Sequence, residues 1–264
     1  MCDRPAPSWR LTRRTMALAL PVAALAAHWP SPGAPRAETA PAGEPVSVKS
    51  VREDGNLVLQ DGRLVRLAGI DFDVDAGIAR QARALIDRLS AGKPATLTPT
   101  VGGEDRHGRL VGHLVVDGKW LQGQLLEAGL ARVRTDPDTR PRAQEMLSLE
   151  AGARARAIGL WADRRNAVVE ADQAERAIGR FALVEGRVLK AVDVRGRIFL
   201  NFGEDWRRDF SVLFEVKAAR LARTAGRDPR GLQGKRIRVR GLVRSYNGPL
   251  IEATHPEQIE ILPG

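Results

Sequence analysis

The residues of this chain best placed to do chemistry are arginines set beside carboxylates. One stretch is Val65-Arg66-Leu67-Ala68-Gly69-Ile70-Asp71, and a second is Asp105-Arg106-His107-Gly108-Arg109. Arginine forks bind phosphate bidentately and stabilise negative charge that develops on it. The same forks can also do no more than hold an aspartate such as Asp71 in a structural ion pair. Other chemistries are excluded by count. The 264 residues include one cysteine, Cys2, and four histidines, which leaves no disulfide framework and no Cys-based zinc site. His107 falls in a turn with no second histidine at metal-ligand spacing, and His113 falls in an expected strand. A second set of candidates lies nearer the C-terminus. Phe199 and Trp206 stand among Arg195, Arg197, Arg207 and Arg208, a mixture suited to stacking bases while neutralising their backbone. Phe202 and Phe210 are assigned to core packing instead. In Lys235-Arg236-Ile237-Arg238-Val239-Arg240 the two-residue period of a strand puts Arg236, Arg238 and Arg240 on one face. Such a face is a track for phosphates or a strand edge protected by charge.

Two strand-rich segments must position these residues. In the first, residues 45–164, Val46, Val48 and Val51 alternate with polar residues. Leu57 and Leu59 follow, then the turn Asp61-Gly62, then Leu64 to Leu67, the pattern of a β-meander. Ile78, Ala82, Leu85, Ile86 and Leu89 recur at helical spacing over 76–91, and Gly92-Lys93-Pro94 stops that helix. Strands over 95–100 and 109–116 and helices over 119–128 and 141–157 complete the segment. Residues 165–179 are polar and Ala-rich and read as a linker. The second segment, 180–264, predicts strands at 181–190, 197–202 and 210–216, a helix at 218–225, and strands at 235–245, 249–253 and 258–262. The fold class is mainly β with helices (α+β). It comprises an OB-type five-stranded barrel with packed helices, followed by a second small OB-like barrel.

The formal net charge is +10, from 42 Lys and Arg against 32 Asp and Glu. An anionic partner, nucleic acid first, fits that charge; so does a genome that favours arginine on solvated faces. Residues 45–164 hold 18 basic and 16 acidic residues, whereas 180–264 hold 17 basic and 10 acidic. The excess therefore belongs to the second segment. Residues 1–27 read as an export signal. Arg10, Arg13 and Arg14 precede an apolar run from Met16 to Ala27 that is too short to span a membrane, with small residues Ala24 and Ala26 at the cleavage site. Arg13-Arg14 also matches a twin-arginine signal loosely. Residues 28–44 form a Pro/Ala-rich leader. A periplasmic or secreted location is the expectation.

Taken with Asp61-Gly62 before them and Leu160-Trp161 after, the two arginine stretches resemble the thermonuclease (staphylococcal-nuclease-like) family over residues 46–162. "VRLAGID" is a specific signal, "DRHGR" follows the family's D-x-Y-G-R, and "EAGARARAIGLW" is similar to its last helix. The resemblance implies Ca²⁺-dependent cleavage of DNA and RNA phosphodiesters. It implies that Arg66 and Arg109 are the catalytic arginines and that Asp71 is a metal ligand. The remaining pattern departs. The family's D-G-D-T aligns with Glu53-Asp54-Gly55-Asn56, so its second aspartate, a metal ligand, is Gly55. Its D-x-P-E aligns with Asp71-Phe72-Asp73-Val74, so the glutamate proposed as general base is Val74. Asp54, Asp73 or Asp75 could compensate through a shifted loop, or Asp73 and Asp75 could instead lie at the start of the following helix. The run Ile198-Phe199-Leu200-Asn201-Phe202-Gly203 resembles an OB-like segment found after some thermonuclease-like domains. Three functions are compatible with this reading. The first is binding of nucleic acid or another polyanion, through Arg66 and Arg109 and through Arg207, Arg236, Arg238, Arg240, Phe199 and Trp206, with cleavage weak or absent. The second is an active metal-dependent nuclease using compensating carboxylates. The third is a non-catalytic envelope protein-interaction factor.

Overall fold

Alternating valines and leucines begin a meander of three antiparallel strands, β1 (Glu44–Val51), β2 (Leu57–Leu59) and β3 (Leu64–Leu67). The computed structural model describes Met1, residues 43–72 and residues 75–263. The expected export signal and nearly all of the leader, together with Asp73 and Val74, lie outside the described residues. A two-residue strand, β4 (Ile70–Asp71), follows the meander. Asp75 then caps α1 (Ala76–Ser90), its Oδ1 accepting the Gly77 and Ile78 N–H groups at 2.8 and 2.9 Å. This side chain satisfies N–H groups that would otherwise lack a partner at the helix start. The apolar stripe of α1 buries Ile78, Ala82 and Ile86.

β5 (Pro94–Glu104) and β6 (Leu110–Val116) form the long hairpin of the first barrel, and β7 (Lys119–Trp120) pairs with the end of β6. Parallel pairing of β3 with β6, Arg66 opposite Val111, closes the order β3-β2-β1-β5-β6 into a five-stranded barrel. Its core joins Val48, Leu57, Val65, Leu97 and Leu114 to residues of the helices. Those helices are α1, α2 (Leu121–Glu127) and α3 (Ala143–Ala155). Between α2 and α3, β8 (Arg132–Val133) pairs antiparallel with β4. After α3 the chain turns back so closely that Leu160 N–H donates to the Gly129 carbonyl at 2.8 Å. A Cβ on Gly159 would sit 2.1 Å from that same oxygen.

The segment expected to be a linker packs into the fold. It holds 3₁₀ turns at 164–166 and 171–177 and a strand, β9 (Val169–Glu170), parallel to β10 (Phe181–Arg187). Ala174 and Ala177 are buried in the second core. The remaining elements are β11 (Lys190–Val194), β12 (Arg197–Asn201), β13 (Ser211–Phe214), α4 (Val216–Thr224), β14 (Arg236–Ser245), β15 (Pro249–Ala253) and β16 (Ile259–Ile261). The strand order is β11-β12-β13-β15-β14-β10-β9, with β16 on β14. β10 and β11 are consecutive in the chain, joined through Val188-Leu189. The order therefore returns to the chain segment where it began, and the sheet curls as an OB-like barrel does. Ile198, Leu200, Phe210 and Phe214 fill its core, and Phe202 packs against Phe210 with ring centroids 4.9 Å apart.

The two sheets share a buried seam. Leu183 of β10 belongs to the first core. Arg240 of β14, 1% exposed, reaches Glu150 of α3, which is fully buried. Its Nη1 donates to Glu150 Oε1 at 3.1 Å and to the Val133 carbonyl at 3.3 Å, and its Nη2 lies 2.9 Å from Glu150 Oε2. Among the described residues no helix is long and apolar enough to cross a membrane.

Candidate functional site

Arg66 sits on β3 between buried Val65 and Leu67, so strand alternation turns it off the core. Arg109 is delivered by the tight turn Asp105–Gly108, just before β6. Asp105 organises that turn. Its Oδ1 accepts the His107 and Arg109 N–H groups at 2.9 and 3.2 Å, and its Oδ2 accepts Arg109 Nε at 2.8 Å, with Nη2 at 2.6 Å. Arg66 Nε lies 3.9 Å from the same Oδ2, and Arg66 Nη2 lies 3.6 Å from Asp136 Oδ2. Asn56 accepts from Arg109 Nη1 at 3.3 Å. The carboxylate that brings Arg66 and Arg109 together is thus Asp105. Burial of Asp105 opposes its ionisation, but the hydrogen bonds from Arg109 and the backbone outweigh burial and hold its pKa at about 2. The two guanidiniums keep 38% and 25% of their side-chain surface exposed. Two adjacent, solvent-reachable forks on a fixed anchor are what a phosphate needs for charge-assisted hydrogen bonds.

Asp71 is engaged differently. On β4 it stands directly opposite Arg132 of β8. Its Oδ2 accepts Arg132 Nη2 at 2.8 Å, Arg132 Nε at 3.2 Å and Arg134 Nη1 at 3.2 Å. Burial works to raise the Asp71 pKa, and the hydrogen bonds and charges of the two arginines overcome it and hold it below the ordinary carboxylate value. Both guanidiniums lie over the Phe181 ring of the second sheet, at 4.5 and 5.9 Å from its centroid.

Among the described residues, Gly55, Phe72, Asp54 and Asp75 near Asp71 in the motifs are each engaged locally. Gly55 has φ +79°, and a Cβ there would lie 2.5 Å from the Phe72 ring. Phe72 fills the space in which a side chain at position 55 would begin. Of the compensating carboxylates, Asp75 caps α1, as described above. Asp54 bridges its own turn, accepting from Asn56 N–H at 3.1 Å and from Arg52 Nε at 3.2 Å. Both geometries use the carboxylate for local structure. Among the described residues no cluster of three or more His, Cys, Asp or Glu is arranged to hold a metal ion.

The expected phosphate track lies on β14 of the second sheet. Arg236, Arg238 and Arg240 do share one face of β14, but that face is lined with glutamates. Arg236 meets Glu170 at 2.8 Å and Glu185 at 3.4 Å. Arg238 pairs with Glu185, directly opposite on β10, and with Glu260 of β16 at 3.3 Å. Arg240 binds Glu150 and Glu260 inside the seam, out of reach of any phosphate. The expected aromatics fare otherwise. Phe199, Trp206, Arg197 and Tyr246 line a groove of about 930 Å³ on the second sheet. Arg207 stands over the Trp206 ring at 4.8 Å from its centroid. Sequence reasoning missed Asp105 and Asp136 as anchors, Arg132 and Arg134 as partners of Asp71, and Tyr246 in the groove. For the partners of Asp71 there was one signal: Arg132 and Arg134 alternate about Val133, which places both on one side of a short strand.

Residues 65–163 match the family described as staphylococcal nuclease homologue. The chain is 36% identical to an uncharacterized 38.1 kDa protein of Capnoides sempervirens over 99 residues, 37% of this chain and 28% of that protein. It is 36% identical to a probable staphylococcal-like nuclease, CAN1, of Oryza sativa subsp. japonica over 112 residues, 42% of this chain and 32% of that protein. The chain thus spans about a third or less of the length of these curated relatives. The matched stretch begins inside β3, and β1 and β2, which precede it, complete the same barrel. Residues 65–163 are therefore similar to the staphylococcal nuclease homologue family.

Proposed function

We propose that this protein is exported and binds nucleic acid or a related polyanion through phosphate contacts, with phosphodiester cleavage weak or absent. The observation that carries the reading is the state of Asp71. The carboxylate at the family's metal-ligand position is neutralised by Arg132 and Arg134. A hard divalent cation such as Ca²⁺ takes six to eight oxygen ligands. Here one carboxylate is paired with two guanidiniums, a side chain at position 55 would meet the Phe72 ring on a left-handed backbone, and position 74 is valine. These residues do not fit a Ca²⁺ site, and no group stands at position 74 to take a proton from an attacking water.

The other half of the site supports binding. A phosphate entering between Arg66 and Arg109 takes over the long contacts that Arg66 makes with Asp105 and Asp136, while Asp105 keeps Arg109 in place through its short bonds. The apolar run and arginines of residues 10–27 support export, and the probable nuclease among the relatives supports a nucleic-acid ligand.

A plasmid-nicking assay on the purified protein tests the cleavage half. With Ca²⁺ or Mg²⁺ added, nicking should not exceed that of Arg66→Ala. Cleavage that stops with EDTA and disappears in Arg66→Ala overturns the reading in favour of a working nuclease. Binding of a labelled DNA oligomer across a salt series tests the other half. Affinity should fall steeply with salt, and no binding at ~50 mM salt favours a protein partner in the envelope instead.

A further inference from the structure

Alternation along β12 sends Ile198 and Leu200 into the core and leaves Arg197, Phe199 and Asn201 on the outer face. On β11 the register places Lys190 opposite Asn201, Val192 opposite Phe199, and Val194 opposite Arg197. These three rows form the floor of the groove, with the Phe199 ring at its centre and a cation at each end. Four residues of strand, ~13 Å, separate the backbone of Arg197 from that of Asn201 opposite Lys190, and the Arg197 guanidinium reaches over the Phe199 ring, 5.8 Å from its centroid. The walls are two rings with little cover. Trp206 is 49% exposed and Tyr246, the chain's single tyrosine, is 61% exposed. Large rings left in water on facing loops mark an interaction site.

The charges around the groove separate it from the rest of this sheet. Arg236, Arg238 and Arg240 are matched by glutamates, as described above. Lys190 and Arg207 have no carboxylate within ion-pair distance among the described residues, and Arg197 has only Glu215 at 3.9 Å. Two nearby aspartates serve turns. Asp193 accepts the Gly196 N–H at 2.8 Å, and Asp205 accepts the Arg207 N–H at 3.1 Å. Glu204 is the one carboxylate among the lining residues.

We infer that this groove binds a short single-stranded segment of nucleic acid. Bases stack on Phe199, Trp206 and Tyr246, and phosphates lie against Lys190, Arg197 and Arg207. A duplex buries the base faces that the rings need, so the strand must be single. Three ring faces within one cation-flanked trough suit a chain of alternating π-faces and negative charges. A purely apolar peptide would leave the cations unused, and a bare polyanion would leave the rings unused. The inference rests on the nucleic-acid reading above and adds a second site, on the other barrel.

The test is fluorescence anisotropy of a labelled eight-residue oligo(dT) with the full chain. Trp206→Ala and Tyr246→Ala change exposed side chains, and circular dichroism verifies their folding. Each should weaken binding about five- to 150-fold, whereas Trp206→Phe should retain most of it. Lys190→Ala with Arg197→Ala should make the plot of log affinity against log salt shallower by about 1.4. If Trp206→Ala and Tyr246→Ala bind within two-fold of the parent while Arg66→Ala with Arg109→Ala abolishes binding, the groove is excluded and the function proposed for the first barrel stands. If an abasic strand of equal length, or inorganic polyphosphate, binds as tightly as oligo(dT), base stacking is refuted. If oligo(dT) does not bind at ~50 mM salt, both the groove and the nucleic-acid reading fall.

Discussion

Replacing Arg240 by methionine keeps most of the side-chain volume at the seam and removes its charge. The guanidinium is buried and contacts Glu150 Oε1 at 3.1 Å, Glu150 Oε2 at 2.9 Å and Glu260 Oε1 at 2.8 Å. Without it, Glu150 retains the Val133 N–H at 2.7 Å and Arg154 at 3.3 Å, but loses its close bidentate partner in a dry environment. Removing one member of a buried pair costs about 3–5 kcal/mol, because the other charge stays buried, here with only the longer contact to Arg154 and one backbone N–H against it. For a folded unit of this size each kcal/mol moves the thermal midpoint by roughly 2–4 °C, so the variant should melt about 6–20 °C lower. Glu150→Gln still offers an oxygen to Val133 N–H. The double variant Arg240→Met with Glu150→Gln should therefore regain most of the loss, giving a coupling of at least ~2 kcal/mol. Urea titrations followed by far-ultraviolet circular dichroism and by tryptophan fluorescence measure all three. A loss in Arg240→Met below ~1 kcal/mol, the range of exposed pairs, would refute the assignment of this pair as the bond between the barrels.

Three further outcomes follow from local geometry. Burial and then the Arg142 charge lower the His113 pKa from 6.5 to about 4. The unfolded chain therefore binds a proton that the folded chain refuses between those values. Stability is full above pH ~6.5 and is lost as pH falls toward ~4, by about 3 kcal/mol in all. His113→Gln should remove that slope in urea titrations at pH 7 and 4.5, and an unchanged slope rules His113 out as its source. Asp75→Ala should lose ~1 kcal/mol of stability and leave oligonucleotide binding and nicking as they were; any loss of metal-dependent nicking makes Asp75 a compensating ligand after all. Gly159→Ala places a Cβ against the Gly129 carbonyl in a left-handed backbone, φ +58°. The backbone alone costs ~1–2 kcal/mol, so its calorimetric midpoint should drop by several degrees, and an unchanged midpoint contradicts the close approach.

The regular elements were largely legible in the sequence because each carries its own local signal. The helix expected over 76–91 is α1, since its apolar period lies within it and its cap and stop lie directly beside it. The strand expected over 249–253 is β15. What could not be read was pairing between distant residues. That Arg236, Arg238 and Arg240 share a face follows from the strand period alone, but Glu150, Glu170 and Glu185, which cover that face, stand more than 50 residues away in sequence. Strands of two residues, β4 and β8, are too short to be recognised by period, so the alternation of Arg132 and Arg134 about Val133 does not by itself point to Asp71. Arg66 and Arg109 were found from their motifs, whereas the shared anchor Asp105 needed coordinates. The absence of a carboxylate at Gly55 was plain in the sequence, but the Phe72 ring occupying its space was not.

That ring makes a carboxylate at position 55 hard to introduce. An aspartate introduced at Gly55 alone meets Phe72 at 2.5 Å and a left-handed backbone. Shrinking Phe72 alone gives up its packing against the first core. Asp71, meanwhile, must first be released from both Arg132 and Arg134. No single one of these substitutions gains a metal ligand, and each has a cost in packing or charge balance. On the binding function proposed above, substitutions on the exposed surfaces are accommodated far more easily than the several that a metal site at Asp71 would require together.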